Sequence, residues 1–242
     1  MLMHEKLTPF ELFKNPDLFI SKPDTHAKVH SKYIDNLFGF EIGKIEQGLL
    51  KKYQAYYKIT DQKNKKQHYQ GTQTWIGIHP QTLQTPYEDI LKALTVLKNI
   101  EVTRVVDIGA AYGRVGLLTS CIFPNASFIG YEILKKRVLE GNRIFKKNNL
   151  NNCKLLEENV LNADFIFPKA EVFFIYDFSE PEHIEYILRK LIDENLSSSF
   201  FIVCRGYAVE ELLLKKFKPY WSGNGFVQAG LLKLFKFVKL KQ

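Results

Sequence analysis

Val105-Val106-Asp107-Ile108-Gly109-Ala110-Ala111-Tyr112-Gly113-Arg114 is a β-branched run that ends in a carboxylate and a loop of small residues. Apolar residues at Val105, Val106 and Ile108 predict a strand covered on both faces. Small residues after it let backbone approach a ligand closely, and the helix that should follow offers free N–H groups. Spacing separates the ligand classes. A dinucleotide loop reads G-x-G-x-x-G, whereas here the small residues fall at Gly109, Ala111 and Gly113. No G-x-x-x-x-G-K-[ST] exists either, so a phosphate loop of the NTPase kind is excluded.

Downstream the chain alternates. Tyr112 to Phe123 predicts a helix stopped by Pro124, and Ser127 to Tyr131 a second strand. Leu134 to Lys147 predicts a helix with Leu134, Val138 and Phe145 on one face and cations on the other. Cys153 to Leu156, Val172 to Tyr176 and Phe200 to Cys204 predict three more strands. Between the last two, Ser179 and Glu182 suggest a capping box before a helix over 182–192. Strands alternating with helices imply crossovers and a parallel sheet. Ala208 to Lys216 predicts one more helix. Phe217 to Trp221 and Leu231 to Leu240 predict an antiparallel pair around the turn Ser222-Gly223-Asn224-Gly225.

Upstream the pattern is helical. Thr8 and Glu11 suggest a capping box for 8–14. Ser31 to Tyr57 carries an apolar stripe that Gly39, Gly43 and Gly48 weaken, consistent with one helix or two. Asp61 to Gln67 reads as a Lys-rich loop, and Trp75 to His79 as a core contact or part of a lid. Thr85, Pro86 and Glu88 form a helix start. These patterns predict a mainly helical extension over 1–84 and a main domain over 85–242.

At 242 residues and 45% hydrophobic, the chain can bury a core, which excludes disorder throughout. Three scattered cysteines exclude a disulfide scaffold and provide no zinc-ligand spacing; no metal site is predicted. The sequence shows no signal peptide and no apolar run long enough to span a membrane, so a cytoplasmic location is expected. Net charge is +8, with +4 over residues 1–84, +6 over 205–242 and −2 between. Basic flanks suit an acidic partner such as nucleic acid, or simply a solvated surface.

The Asp107 loop resembles the first motif of the class I S-adenosylmethionine-dependent methyltransferases, an acidic residue, one residue, then G-x-G-x-G. Asp107, Gly109 and Gly113 match, and Ala111 replaces the middle glycine. The resemblance extends over about residues 85–240. It implies a Rossmann-like α/β fold, mostly parallel with an antiparallel last strand, and S-adenosylmethionine as cofactor. It implies that Glu132, 25 residues beyond Asp107, takes the ribose hydroxyls. Glu158 and Asn159 would then lie near the adenine, and Tyr87 over the cofactor. Asp177 would face the reacting methyl group, helped by Tyr176 or Tyr112. The acceptor stays open between protein lysine, RNA and a small molecule. Tyr176-Asp177-Phe178 is not the Asn-Pro-Pro-[Tyr/Phe] motif of many base-amino methylases, and faint similarity to non-SET protein lysine methyltransferases exists. The rival reading is a non-catalytic module of the same fold that binds nucleic acid through its basic flanks. A nucleotide-dependent oxidoreductase is disfavoured by the loop spacing. Neither acceptor nor oligomeric state is legible.

Overall fold

Each apolar run becomes a strand of one sheet. The computed structural model describes residues 15–60, 68–69, 72–73, 75–195, 197–221 and 225–238. The Thr8–Glu11 box, the 61–67 loop and Ser222–Asn224 lie outside these residues. In chain order the strands are β1 (Arg104–Ile108), β2 (Ser127–Glu132), β3 (Cys153–Glu157), β4 (Val172–Tyr176), β5 (Phe200–Arg205), β6 (Val227–Ala229) and β7 (Leu232–Phe237). They lie in the order β3-β2-β1-β4-β5-β7-β6. The first five run parallel, and β7 is antiparallel to both its neighbours. A separate two-residue ladder joins His68–Tyr69 to Thr72–Gln73.

The helices are α1 (Ala27–Phe38), α2 (Ile42–Thr60), α3 (Pro80–Leu83), α4 (Tyr87–Val96), α5 (Arg114–Ile122), α6 (Lys135–Lys147), α7 (Pro181–Asn195) and α8 (Tyr207–Lys215). Alternation along the central strands sorts the core into two layers. Val105 and Phe174 pack with residues of α4, α5 and α6, while Val106, Ile108 and Phe173 pack with α7 and α8. The N-terminal residues Phe19, Ile34, Phe38 and Phe40 join the first layer. The stripe over 31–57 resolves into two helices, because Gly39 ends α1 in the left-handed region at φ +80.

Three local expectations are corrected. Of residues 217–221 only Trp221 pairs with β7, through an isolated antiparallel bridge to Phe237, and no hairpin ladder forms there. Pro219 lies in a 3-10 turn (Lys218–Tyr220), where its missing N–H costs nothing, and Trp221 turns inward to donate from Nε1 to the Leu213 carbonyl at 2.9 Å. Val227–Ala229 pairs with β7 instead, around Gly230 at φ +62. At α4, Thr85 is buried, and Pro86 occupies the cap with no side-chain bond. Glu88 accepts instead from the Ser21 amide at 3.2 Å, so a distant segment outcompetes the local box. At α7, the Ser179 hydroxyl meets His183 Nδ1 at 2.7 Å, and the helix spans Pro181–Asn195, starting one residue ahead of the expected 182.

The layer beneath α5 is filled without spare volume. A Cβ on Gly116 would stand 2.6 Å from Phe128 Cδ1 and 2.7 Å from Phe145 Cζ, both rings buried. Gly116→Ala is therefore expected to destabilise the chain by about 1–3 kcal/mol through overpacking. Thermal unfolding would record a Tm loss of about 2–4 °C for each kcal/mol.

Candidate functional site

Parallel strands end together, and the loops that leave them open a crevice at that edge. Here the edge carries a cleft of about 310 Å³. Gly109 and Ala111 enter it from β1, Glu132 from β2, Glu158 and Asn159 from β3, Tyr176 and Asp177 from β4, and Arg205 from β5. Trp75, Ile78, Thr82 and Leu83 bring the N-terminal extension to the same cleft.

The loop after β1 winds through positive φ at Gly109 (+78), Ala111 (+47) and Gly113 (+83). Ala111 tolerates this with backbone strain that a middle glycine would not carry. Three hydrogen bonds fix the turn. Gly109 and Ala110 donate to the Tyr131 carbonyl at 3.0 and 2.9 Å, and Ala111 donates to Glu132 Oε2 at 3.1 Å. Gly109 is also close-packed, since a Cβ there would stand 3.0 Å from Phe178 Cβ. Gly113 does not line the cleft. It starts α5, and a Cβ on it would press into Phe145 at 2.7 Å.

Glu132 is buried, and its second oxygen accepts from the Leu134 amide at 2.9 Å. Burial, aided by Glu46, raises its pKa, while Arg137 and the two amides work against that. Arg137 Nη1 lies 3.8 Å from Glu132 Oε1. The same guanidinium holds Glu46 of α2, Nε to Oε1 at 2.8 Å and Nη2 to Oε2 at 3.2 Å.

Asp107 lies under the loop and does not line the cleft. It is 1% exposed, and its Oδ1 has no hydrogen-bond partner among the described residues. Burial, with repulsion from Glu132, raises its pKa from 3.8 to about 8. Above Asp107, burial holds the Tyr176 phenol protonated, reinforced by the neighbouring carboxyl.

Asp177 lines the cleft, yet both carboxylate oxygens already accept backbone protons, Oδ2 from Ala208 at 3.1 Å and Oδ1 from Val209 at 2.9 Å. It caps the first turn of α8, and Gly206 has no room for a side chain because the carboxylate occupies that space. Glu158 and Asn159 shape their own turn: Asn159 Oδ1 accepts from the Leu161 amide at 3.1 Å.

Two expected residues lie elsewhere. Tyr87 is fully buried and donates to Asp35 Oδ1 at 3.1 Å, with Arg114 over its ring at 4.8 Å. It joins the extension to α4 rather than covering the cleft. Tyr112 is also fully buried and donates to Glu46 Oε1 at 2.7 Å. Burial and that carboxylate keep it protonated, so it belongs to the packing behind the loop.

Arg137, Arg205 and Trp75 carry more of the site than sequence reasoning gave them. Arg137 had a signal: it stands three residues after Leu134, on the apolar stripe, where a solvated cation does not belong. Arg205 simply follows the fifth apolar run, and its Nη1 reaches Thr85 Oγ1 at 3.4 Å. Trp75 closes the cleft mouth by donating from Nε1 to the Phe178 carbonyl at 3.0 Å.

No family model matches the chain. A tRNA (guanine-N(7)-)-methyltransferase of Oceanobacillus iheyensis is 31% identical over 77 residues, 31% of this chain. That match spans 36% of the relative's own length. Among solved structures, S-adenosylhomocysteine-bound PaMTH1 of Podospora anserina superposes with a TM-score of 0.55 at 12% identity, over 67% of this chain and 83% of its own. The mitomycin 7-O-methyltransferase MmcR superposes with a TM-score of 0.50 at 12% identity, over 64% and 54%. Likeness at such identities is a likeness of fold. With strands in the order β3-β2-β1-β4-β5-β7-β6, β7 alone antiparallel and a tight loop leaving β1 toward a strand-end cleft, the chain has the Rossmann-like class I methyltransferase fold.

Proposed function

We propose that the chain is an S-adenosylmethionine-dependent methyltransferase, with residues 1–84 capping a catalytic domain of 85–242. The observation that carries this reading is Glu132, a buried carboxylate at the end of β2 held against the left-handed Ala111 loop at the rim of the cleft. The residues present suit such a cofactor. Gly109 lines the cleft in the left-handed region, where it has no side chain to block a ligand, and Asp107 Oδ1 has no donor among the described residues. A carboxylate can accept from two hydroxyls at once, which fits Glu132 to a ribose. Glu158 and Asn159 lie on the next strand end, where they would border the adenine.

The cofactor supplies a methyl group already activated on a sulfonium. The chain's task is then alignment and exclusion of water. Trp75, Ile78 and Leu83 wall the cleft against solvent. Tyr176 and Asp177 stand beside the position of the acceptor. Asp177, held by two amides, is fixed in place and serves to orient. The acceptor class favoured is RNA, as the tRNA methyltransferase likeness suggests; protein lysine and a small molecule are the other classes.

Isothermal titration with S-adenosylhomocysteine, with NAD as control, tests the reading. Binding of the first and not the second is expected. Glu132→Gln keeps one acceptor oxygen and loses the charge, so its affinity should fall about 10–100-fold, the equivalent of one or two charge-assisted bonds. Wild-type affinity in this variant would remove Glu132 from the ribose, and binding of NAD alone would overturn the cofactor.

Asp107 gives a prediction about pH. Its folded pKa of about 8 lies above the ordinary 3.8, so between those limits the native chain holds a proton that the unfolded chain has released. Its contribution to stability is thus greatest in acid and falls as pH rises. Asp107→Asn is neutral at every pH. Its Tm relative to wild type should climb from pH 5 to about 8 and level off above that, read by thermal unfolding in a buffer series. A difference that stays flat would mean Asp107 is ionised throughout.

A further inference from the structure

Net charge by segment hides how the cations are distributed in space. The middle segment is net −2, yet α6 carries Lys135, Lys136, Arg137, Arg143, Lys146 and Lys147 against a single acid, Glu140. Its counterpart across the sheet, α7, carries more acids than bases. Arg137 points inward, and the other five cations of α6 are exposed. Lys136, Arg143, Lys146 and Lys147 recur at helical spacing on one face of α6, with the exposed Leu139 between the first two.

A second helix continues that face. Lys136 Nζ lies 3.6 Å from where a Cβ of Gly48 on α2 would stand, so the two helices meet there. Lys44, Lys51 and Lys52 lie four before, three after and four after Gly48, on its side of α2. The acids nearby are already taken. Glu41 holds Lys44 at 3.1 Å, Glu140 holds Arg143 at 2.7 Å, and Glu157 lies 3.9 Å from Lys135. Lys51, Lys52, Lys136, Lys146 and Lys147 have no ion pair among the described residues. The face begins at the cleft: Glu132, Ile133 and Arg137 line it, and Lys135 and Lys136 follow directly.

We propose that the α2–α6 face docks the phosphate backbone of RNA and leads the strand to the mouth of the cleft. This names the acceptor class for the proposed methyltransferase and rests on that reading for its catalytic meaning, though not for the binding itself. A row of unpaired lysines on two adjacent helices suits regularly spaced phosphates, because each contact releases a condensed counterion. Position along the strand would be set by the backbone, with the target base read in the cleft.

The test uses the full chain and a fluorescein-labelled RNA hairpin, with anisotropy read between roughly 50 and 200 mM salt. The variant is Lys51→Gln, Lys136→Gln and Lys146→Gln together. None of these lysines lines the cleft, and the variant's Tm controls for folding. Wild-type affinity should fall linearly in the logarithm of salt, and the variant should lose about one unit of slope per lysine and about tenfold or more in affinity. Equal affinity and slope in wild type and variant would overturn the proposal, as would absence of RNA binding by the wild type. Tighter binding to vesicles of anionic phospholipid than to the hairpin would overturn RNA in favour of a membrane surface. RNA binding with the predicted loss, in a chain that does not bind S-adenosylhomocysteine, would uphold the surface and sink the methyltransferase reading instead.

Discussion

Two arginines buried against carboxylates hold the N-terminal extension to the loop on which the cleft is built. Arg114, the residue that enters α5 after that loop, meets both oxygens of Asp35 in α1 and also binds Gln81 Oε1 at 2.8 Å and the Thr85 carbonyl at 3.0 Å. Arg137, one turn into α6, meets both oxygens of Glu46 in α2. All four charged groups are nearly inaccessible to water. A buried pair yields little net stability against a hydrophobic pair of similar shape, but removing one partner costs about 3–5 kcal/mol, because a bare charge is left inside. The extension is therefore a condition for the loop's geometry. Without Asp35 and Glu46, the two arginines would have to leave the core and take the start of α5 and α6 with them.

From these pairs the order of the site follows. Glu46 binds Arg137, Arg137 lies against Glu132, and Glu132 accepts the Ala111 amide. Position thus passes from α2 to the left-handed loop through four contiguous groups. Tyr112 closes the same circuit by donating to Glu46. Asp107 is left out of it. Every carboxylate near it is compensated by a cation or by amides, while Asp107 Oδ1 has only burial and the field of Glu132. An unsatisfied carboxyl of that kind is tolerated where a ligand is to meet it and is otherwise a plain loss.

The central sheet was legible because its signals are local. Five apolar runs and the loop from Gly109 to Gly113 need no distant partner to be read, and Val172–Tyr176 matches its strand residue for residue. The last hairpin was only half legible: Trp221 bridges to Phe237 while its indole turns inward to the Leu213 carbonyl, and the ladder along β7 goes to Val227–Ala229. The lining of the cleft was legible where it follows from a residue's place at a strand end, as with Glu132, Glu158 and Asp177. Tyr87 and Tyr112 carry the same local signals as a cofactor-facing aromatic. Their actual partners, Asp35 and Glu46, lie 52 and 66 residues away in sequence, so nothing nearby could have told them apart. Asp177 shows the same limit from the other side, since the amides it caps belong to a helix that starts 30 residues later.

Charge followed a rule that segment totals do not see. The fold places α4, α5 and α6 on one face of the sheet and α7 and α8 on the other, so cations and acids that segment totals add together end on opposite sides. The cleft collects Glu132, Glu158 and Asp177, while its one lining cation on α6 is neutralised by Glu46. The face beside it collects lysines that have no ion pair among the described residues. In the proposed reading these two fields do different work. An acidic, partly desolvated cleft favours a sulfonium and repels phosphate, and its low dielectric strengthens both effects. A basic, solvated face holds phosphate and repels the cofactor, with a reach of about a Debye length, roughly 8–10 Å. Arg137 sits at the boundary, buried on the side of α6 that faces the cleft, while the lysines next to it face water. One helix can therefore serve both surfaces, because its inward cation positions Glu46 and Glu132, while outward ones such as Lys136 and Lys146 face water and can attract a polyanion.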